Sequence, residues 1–177
     1  TAQPVYKSAF QPDLTGKRIL AVDDNATNRT IIEQELLNWQ MQPVVVESGP
    51  RALELLANGE HFDLAILDNQ MPEMDGLMLA VEIRRTLDAK TLPLIMLSSG
   101  IATDKDPRLS EFAQVMIKPV KPSVLYNSLM EVFSTGFDAA QRHTQTTSLY
   151  DPEMGRKYPL RILLAEDNRI NQKVALM

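Results

Sequence analysis

The sequence has no cysteine, which excludes disulfide staples and thiolate-ligated metals outright. It has only two histidines, His61 and His143, far apart in the chain. A histidine-rich metal site or a Ser-His-Asp triad has little to work with. No basic run occurs, and 18 Lys and Arg against 23 Asp and Glu leave a formal charge of -5. A nucleic-acid binder would carry a basic patch or stripe, so no nucleic-acid partner is expected. No apolar run approaches the roughly 18–20 residues of a membrane span, and Thr1 to Lys7 lack the charged-then-apolar order of a signal peptide. The segment is therefore expected to be cytoplasmic and to make no membrane contact, whatever anchors a parent chain. It starts without Met and stops inside a helical pattern, which reads as an excised piece of something longer.

What is present is globular: 44% hydrophobic and 23% charged residues are enough for a packed core. From Arg18 to Phe133 short apolar runs alternate with stretches of helical period. The strand candidates are Ile19–Val22, Val44–Val46, Leu64–Leu67, Leu94–Leu97 and Val115–Ile117. Helical patterns cover about 27–39, 50–56, 77–87 and 122–134. Five continuous apolar strands alternating with helices predict an α/β fold, a doubly wound parallel sheet covered on both faces. Between Ser98 and Val115 the chain is polar and broken by Pro107, so a short turn or irregular loop is expected in place of a full helix.

The organisation then reads as an N-terminal linker at 1–16, a domain at 17–134, and an interdomain linker at 135–159. The linker is polar (QRHTQTTS at 141–148) and interrupted by Pro152, Gly155 and Pro159. After it the chain begins again. Arg161-Ile162-Leu163-Leu164-Ala165-Glu166-Asp167-Asn168 parallels Arg18-Ile19-Leu20-Ala21-Val22-Asp23-Asp24-Asn25, and Asn171 matches Asn28. Residues 160–177 are thus expected to be the truncated start of a second domain of the same kind.

In an open parallel sheet the functional edge is the carboxyl end of the strands. There the sequence places Asp23-Asp24, Asp68, Ser98-Ser99 and Lys118. Three carboxylates at close quarters repel and call for a cation. Oxygen ligands favour a hard ion, and Mg2+ is the usual one beside a phosphate. Lys118 offers a point positive charge to a phosphoryl oxygen, and the Ser98 hydroxyl a hydrogen bond. Such a group can carry out phosphoryl transfer to an aspartate by positioning and charge neutralisation.

The strings VDDN (22–25), ILDNQMPEMDG (66–76), MLSS (96–99) and IKP (117–119) closely resemble the response-regulator receiver family, across about residues 17–134. The resemblance implies the flavodoxin-like receiver fold, with Asp68 as phosphoacceptor. It also implies Mg2+ held by Asp23, Asp24, Asp68 and the backbone carbonyl of Gln70, and Ser98 and Lys118 on the phosphoryl group. A cis peptide at Lys118-Pro119 is expected. Val115 stands three residues before the lysine, where the family often has a switching Tyr or Phe. Two receivers in tandem resemble the C-terminal part of bacterial hybrid sensor histidine kinases. That setting implies a histidine kinase or histidine phosphotransfer domain as donor and an adjacent second receiver as neighbour, with a homodimer left open. The parent would be a protein histidine kinase; the segment itself has no kinase core and would only accept the group and slowly lose it. A docking module that keeps the fold without phosphorylation is the alternative. A phosphohydrolase is disfavoured because Gln70 stands where such enzymes usually carry a second acid.

Overall fold

The structure is a computed structural model that describes residues 13–100 and 106–135. The segment 101–105, the linker expected at 135–159 beyond its first residue, and the repeat at 160–177 with Glu166 and Asp167 lie outside the described residues.

Elements follow in the order β1 (Arg18–Val22), α1 (Ala26–Asn38), β2 (Gln42–Val46), α2 (Gly49–Ala57), β3 (Leu64–Asp68) and α3 (Gly76–Arg84). They continue with β4 (Leu94–Ser98), a 3-10 turn (Pro107–Glu111), β5 (Gln114–Ile117) and α4 (Pro122–Thr135). All strand pairs are parallel, in the order β2-β1-β3-β4-β5. That order reverses direction between β1 and β3, and the crevice beyond the strand ends there is where open α/β sheets bind ligands.

The three central strands bury nearly every side chain, as helices on both faces require. On one face Leu20, Val22, Leu67, Met96 and Leu79 join a core that α2, α3 and the 3-10 turn cover. On the other, Ile19, Ala21, Ile66, Leu36 and Leu129 form a second core under α1 and α4. The edge strands differ from the uniform burial the apolar runs suggested. Most of β2 is half-buried with Gln42 exposed, and in β5 Val115 and Ile117 are exposed while Met116 is buried. Each has a neighbour on one side only. Pro43, which cannot donate to a ladder, is tolerated for that reason.

Local chemistry sets the helix starts. Asn25 caps α1 by accepting from the backbone N–H groups of Thr27 and Asn28. Asp75 caps α3 through Met78 N–H at 2.7 Å. Asp106 does the same for the 3-10 turn, where Pro107 occupies the first position. The expected full-length end of α3 near residue 87 is not reached: the helix stops at Arg84 and the chain turns, with Thr86 and Leu87 both donating to the Ile83 carbonyl. Trp39 ends α1 and meets Tyr126 of α4 edge-to-face at 5.3 Å.

Candidate functional site

Asp23 and Asp24 follow β1, Asp68 ends β3, and Lys118 follows β5, so three strands deliver them to one edge of the sheet. One carboxylate oxygen from each of Asp23, Asp24 and Asp68 lies within 4.8 Å of the other two. Asp23 and Asp68 are buried, at 1% and 3% exposure, while Asp24 is exposed. The cluster therefore opens to solvent on one side. Lys118 Nζ lies 2.9 Å from Asp23 Oδ2 and 2.9 Å from Asp68 Oδ2. Burial works to lower the lysine, but the hydrogen bonds to Asp68 and Asp23 outweigh it and hold its pKa above the ordinary value. It is an ammonium bridging two acids from different strands. The Lys118-Pro119 peptide is cis.

The donor set suits a hard divalent cation. Oxygen ligands are all that the cluster offers, and a solvent-open side leaves room for the waters that Mg2+ retains. Gln70, in the loop after β3, donates its N–H to Asp68 Oδ1 at 3.3 Å and is itself exposed. Ser98 ends β4 and is buried, but its hydroxyl is turned onto the chain that follows: it donates to the Gly100 carbonyl at 3.0 Å. Val115 lies on the same face of the sheet as its partner Met96 and is 37% exposed.

Groups at the start of α1 support the acids, in roles that the sequence patterns did not assign. Asn28, on the first turn of α1, donates its amide Nδ2 to both oxygens of Asp23, at 3.2 and 3.1 Å. Arg29 Nη1 donates to the carbonyls of Asp23 and Asp24, at 2.7 and 2.9 Å. The backbone N–H of Asn25 also donates to Asp23 Oδ1, at 2.9 Å. Asp75-Gly76 reads from sequence as a turn, and the turn has a steric purpose. A Cβ on Gly76 would sit 2.5 Å from the Asp68 carbonyl oxygen, so only glycine lets α3 start against the backbone that carries Asp68. The signal for Asn28 was present, since Asn28 and Asn171 recur in the repeat, but periodicity gives a helix residue no partner on a strand end.

The family described as "Response regulator receiver domain" matches residues 19–129. The two-component response regulator ORR5 of Oryza sativa subsp. japonica is 36% identical over 107 residues, covering 59% of this chain and 80% of that protein. Autoinducer 2 sensor kinase/phosphatase LuxQ of Vibrio vulnificus is 37% identical over 117 residues, which is 65% of this chain but 13% of that much longer protein. Among solved structures, response regulator protein TrrA from Thermotoga maritima, in complex with Mg(2+)-BeF, superimposes with a TM-score of 0.60 at 29% identity, over 66% of this chain and 98% of its own. Chemotaxis protein CheY4 of Vibrio cholerae gives 0.61 at 26%, over 67% and 99%.

Proposed function

The chain belongs to the response regulator receiver domain family, and on that premise we propose that Asp68 is the residue that accepts the phosphoryl group. The observation that carries this is the convergence of Asp68 with Asp23, Asp24 and Lys118 at the crevice of the sheet.

A carboxylate oxygen of Asp68 attacks the phosphorus of a phosphohistidine. An O–P bond forms as the P–N bond breaks, and the electron pair leaves on the imidazole nitrogen, which is then protonated. Asp23, Asp24, Asp68 and the Gln70 carbonyl are the residues that would hold Mg2+. A bound Mg2+ supplies neutralisation of the carboxylates and of the charge on the transferred oxygens. Lys118 leaves its bridge and pairs with a phosphoryl oxygen, as a flexible point charge can. Ser98 donates to another oxygen once its hydroxyl rotates away from Gly100. Val115 replaces the aromatic of the usual switch, so output passes without a ring reorienting.

For the setting we propose a hybrid sensor histidine kinase, with domain bounds of 17–134 and a second receiver starting at 160. The likeness to the sensor kinase LuxQ supports this, as does the repeated sequence after residue 160. A histidine kinase or histidine phosphotransfer domain is then the donor, in the cytoplasm. The docking-module reading fits less well, because docking alone needs no buried acid pair bridged by a lysine.

Incubation with Mg2+ and acetyl phosphate, followed by intact mass measurement, tests the assignment. A phosphate-sized gain is expected that disappears in Asp68→Asn and in the presence of EDTA. A gain that survives Asp68→Asn refutes it.

A further inference from the structure

The two oxygens of Asp23 share one donor and differ in the other. Oδ1 accepts from Asn25 N–H at 2.9 Å and Asn28 Nδ2 at 3.2 Å. Oδ2 accepts from Asn28 Nδ2 at 3.1 Å and Lys118 Nζ at 2.9 Å. Among the described residues Asn28 is therefore the one side chain that spans both oxygens, and it does so from a helix rather than from a loop. Its own backbone N–H is tied to the cap residue Asn25, and α1 is held to the sheet by Ile32 and Leu36.

The consequence follows from what Lys118 has to do. While it bridges Asp23 and Asp68 it fixes both carboxylates, but on the reading above it must leave Asp23 to reach a phosphoryl oxygen. A cation entering at that moment meets an Asp23 whose orientation no longer depends on the lysine. Asn28 donates N–H to the carboxylate across both oxygens, so it holds the group from the α1 side whether or not the lysine is in place. It does not touch phosphorus. Partners that orient a ligating carboxylate in this way affect metal affinity strongly when removed.

We propose that Asn28 is a positioning residue that aims the Asp23 carboxylate at the divalent cation independently of Lys118. The inference rests on the assignment of Asp23 as a cation ligand. The chemistry it serves is selection of a small octahedral ion, for which ligand direction matters more than for a larger one.

The test is titration calorimetry of the full chain with MgCl2. Asn28→Leu keeps the branched shape and removes the donor, while Asn28→Ala removes both. Both are expected to weaken Mg2+ binding about tenfold, while circular dichroism and melting in EDTA show a folded domain. Ca2+ binding, measured alongside, is expected to fall less, so the preference for Mg2+ over Ca2+ shrinks. The Asn28→Leu loss is also expected to persist when Lys118 is changed to Met. Its disappearance in that background would mean that Asn28 acts through the lysine, and would overturn the proposal. Wild-type binding of Mg2+ with Asn28→Leu within twofold of it overturns this inference alone. A wild-type chain that binds no Mg2+ overturns both this inference and the cation assignment beneath it.

Discussion

Lys118 carries the electrostatics of the site at the residue scale. With 21% of its side chain exposed, it faces two carboxylates that are almost wholly buried. Removing one partner from a buried ion group leaves the others uncompensated and costs about 3–5 kcal/mol. The opening toward Asp24 places this site at the low end. Lys118→Met should therefore lower the unfolding free energy in EDTA by about 3 kcal/mol, and millimolar Mg2+ should recover part of it. Urea denaturation with and without Mg2+ measures both, and equal stability in EDTA would refute the account. The same pair of proteins gives a pH signature. The folded lysine has its pKa raised, so its stabilisation is complete below the unfolded lysine value and is lost as pH rises through the folded one. The gap between wild type and Lys118→Met should thus be constant across neutral pH and close only in strong alkali. These residues were legible because each ends an apolar run. The rotamer of Ser98, turned onto Gly100, was not, since nothing in an MLSS string says which way a hydroxyl points.

Among the elements, the short 3-10 turn that precedes β5 is the feature of most consequence. Pro107 and the polar residues before it announced it in the sequence. What anchors it did not show there. Arg84, at the last turn of α3 and with only 11% of its side chain exposed, donates to the carbonyls of Leu87, Asp88, Leu92 and Glu111, at 3.4, 3.4, 3.0 and 2.9 Å. Its Nε lies 3.3 Å from the Glu111 carboxylate. Burial lowers the guanidinium pKa against the opposing pull of Glu111, yet an arginine stays charged at any physiological pH. One side chain therefore ties the end of α3, the entry to β4 and the end of the 3-10 turn together. In sequence Arg84 is simply a charge in a helical pattern, because its partners are backbone carbonyls up to 27 positions away. Arg84→Met should cost about 2–3 kcal/mol by leaving carbonyls unpaired. Hydrogen exchange should quicken first at Leu109 and Phe112, whose amides bond within the turn. Arg84→Lys should rescue little, since an ammonium lacks the guanidinium's fork of donors. A variant with unchanged exchange in the turn would show that Phe112, buried at 2% exposure, holds it alone.

The whole molecule couples its stability to its chemistry, because the acids that suit a cation also strain the folded state. The architecture was readable where strands are covered on both faces: β1, β3 and β4 are continuous apolar runs for that reason. It was less readable at β2, which begins at Gln42-Pro43, because an edge strand with one neighbour does not need an apolar or fully donating backbone. Folding brings Asp23, Asp24 and Asp68 within 4.8 Å, whereas the unfolded chain separates Asp68 from the pair by more than forty residues. A divalent ion that needs all three carboxylates binds the folded state alone. Unfolding free energy should then rise by about 1.4 kcal/mol for each tenfold increase in free Mg2+ above its dissociation constant. NaCl at matched ionic strength should not reproduce that slope, since it only screens the charges. Asp23→Asn should flatten the slope while raising stability in EDTA, because it removes one charge from the cluster and lets the Lys118–Asp68 pair remain. Thermal melting of the two proteins across a Mg2+ series decides it. A wild-type slope no steeper than that of Asp23→Asn would show that the three carboxylates do not act as one cation site.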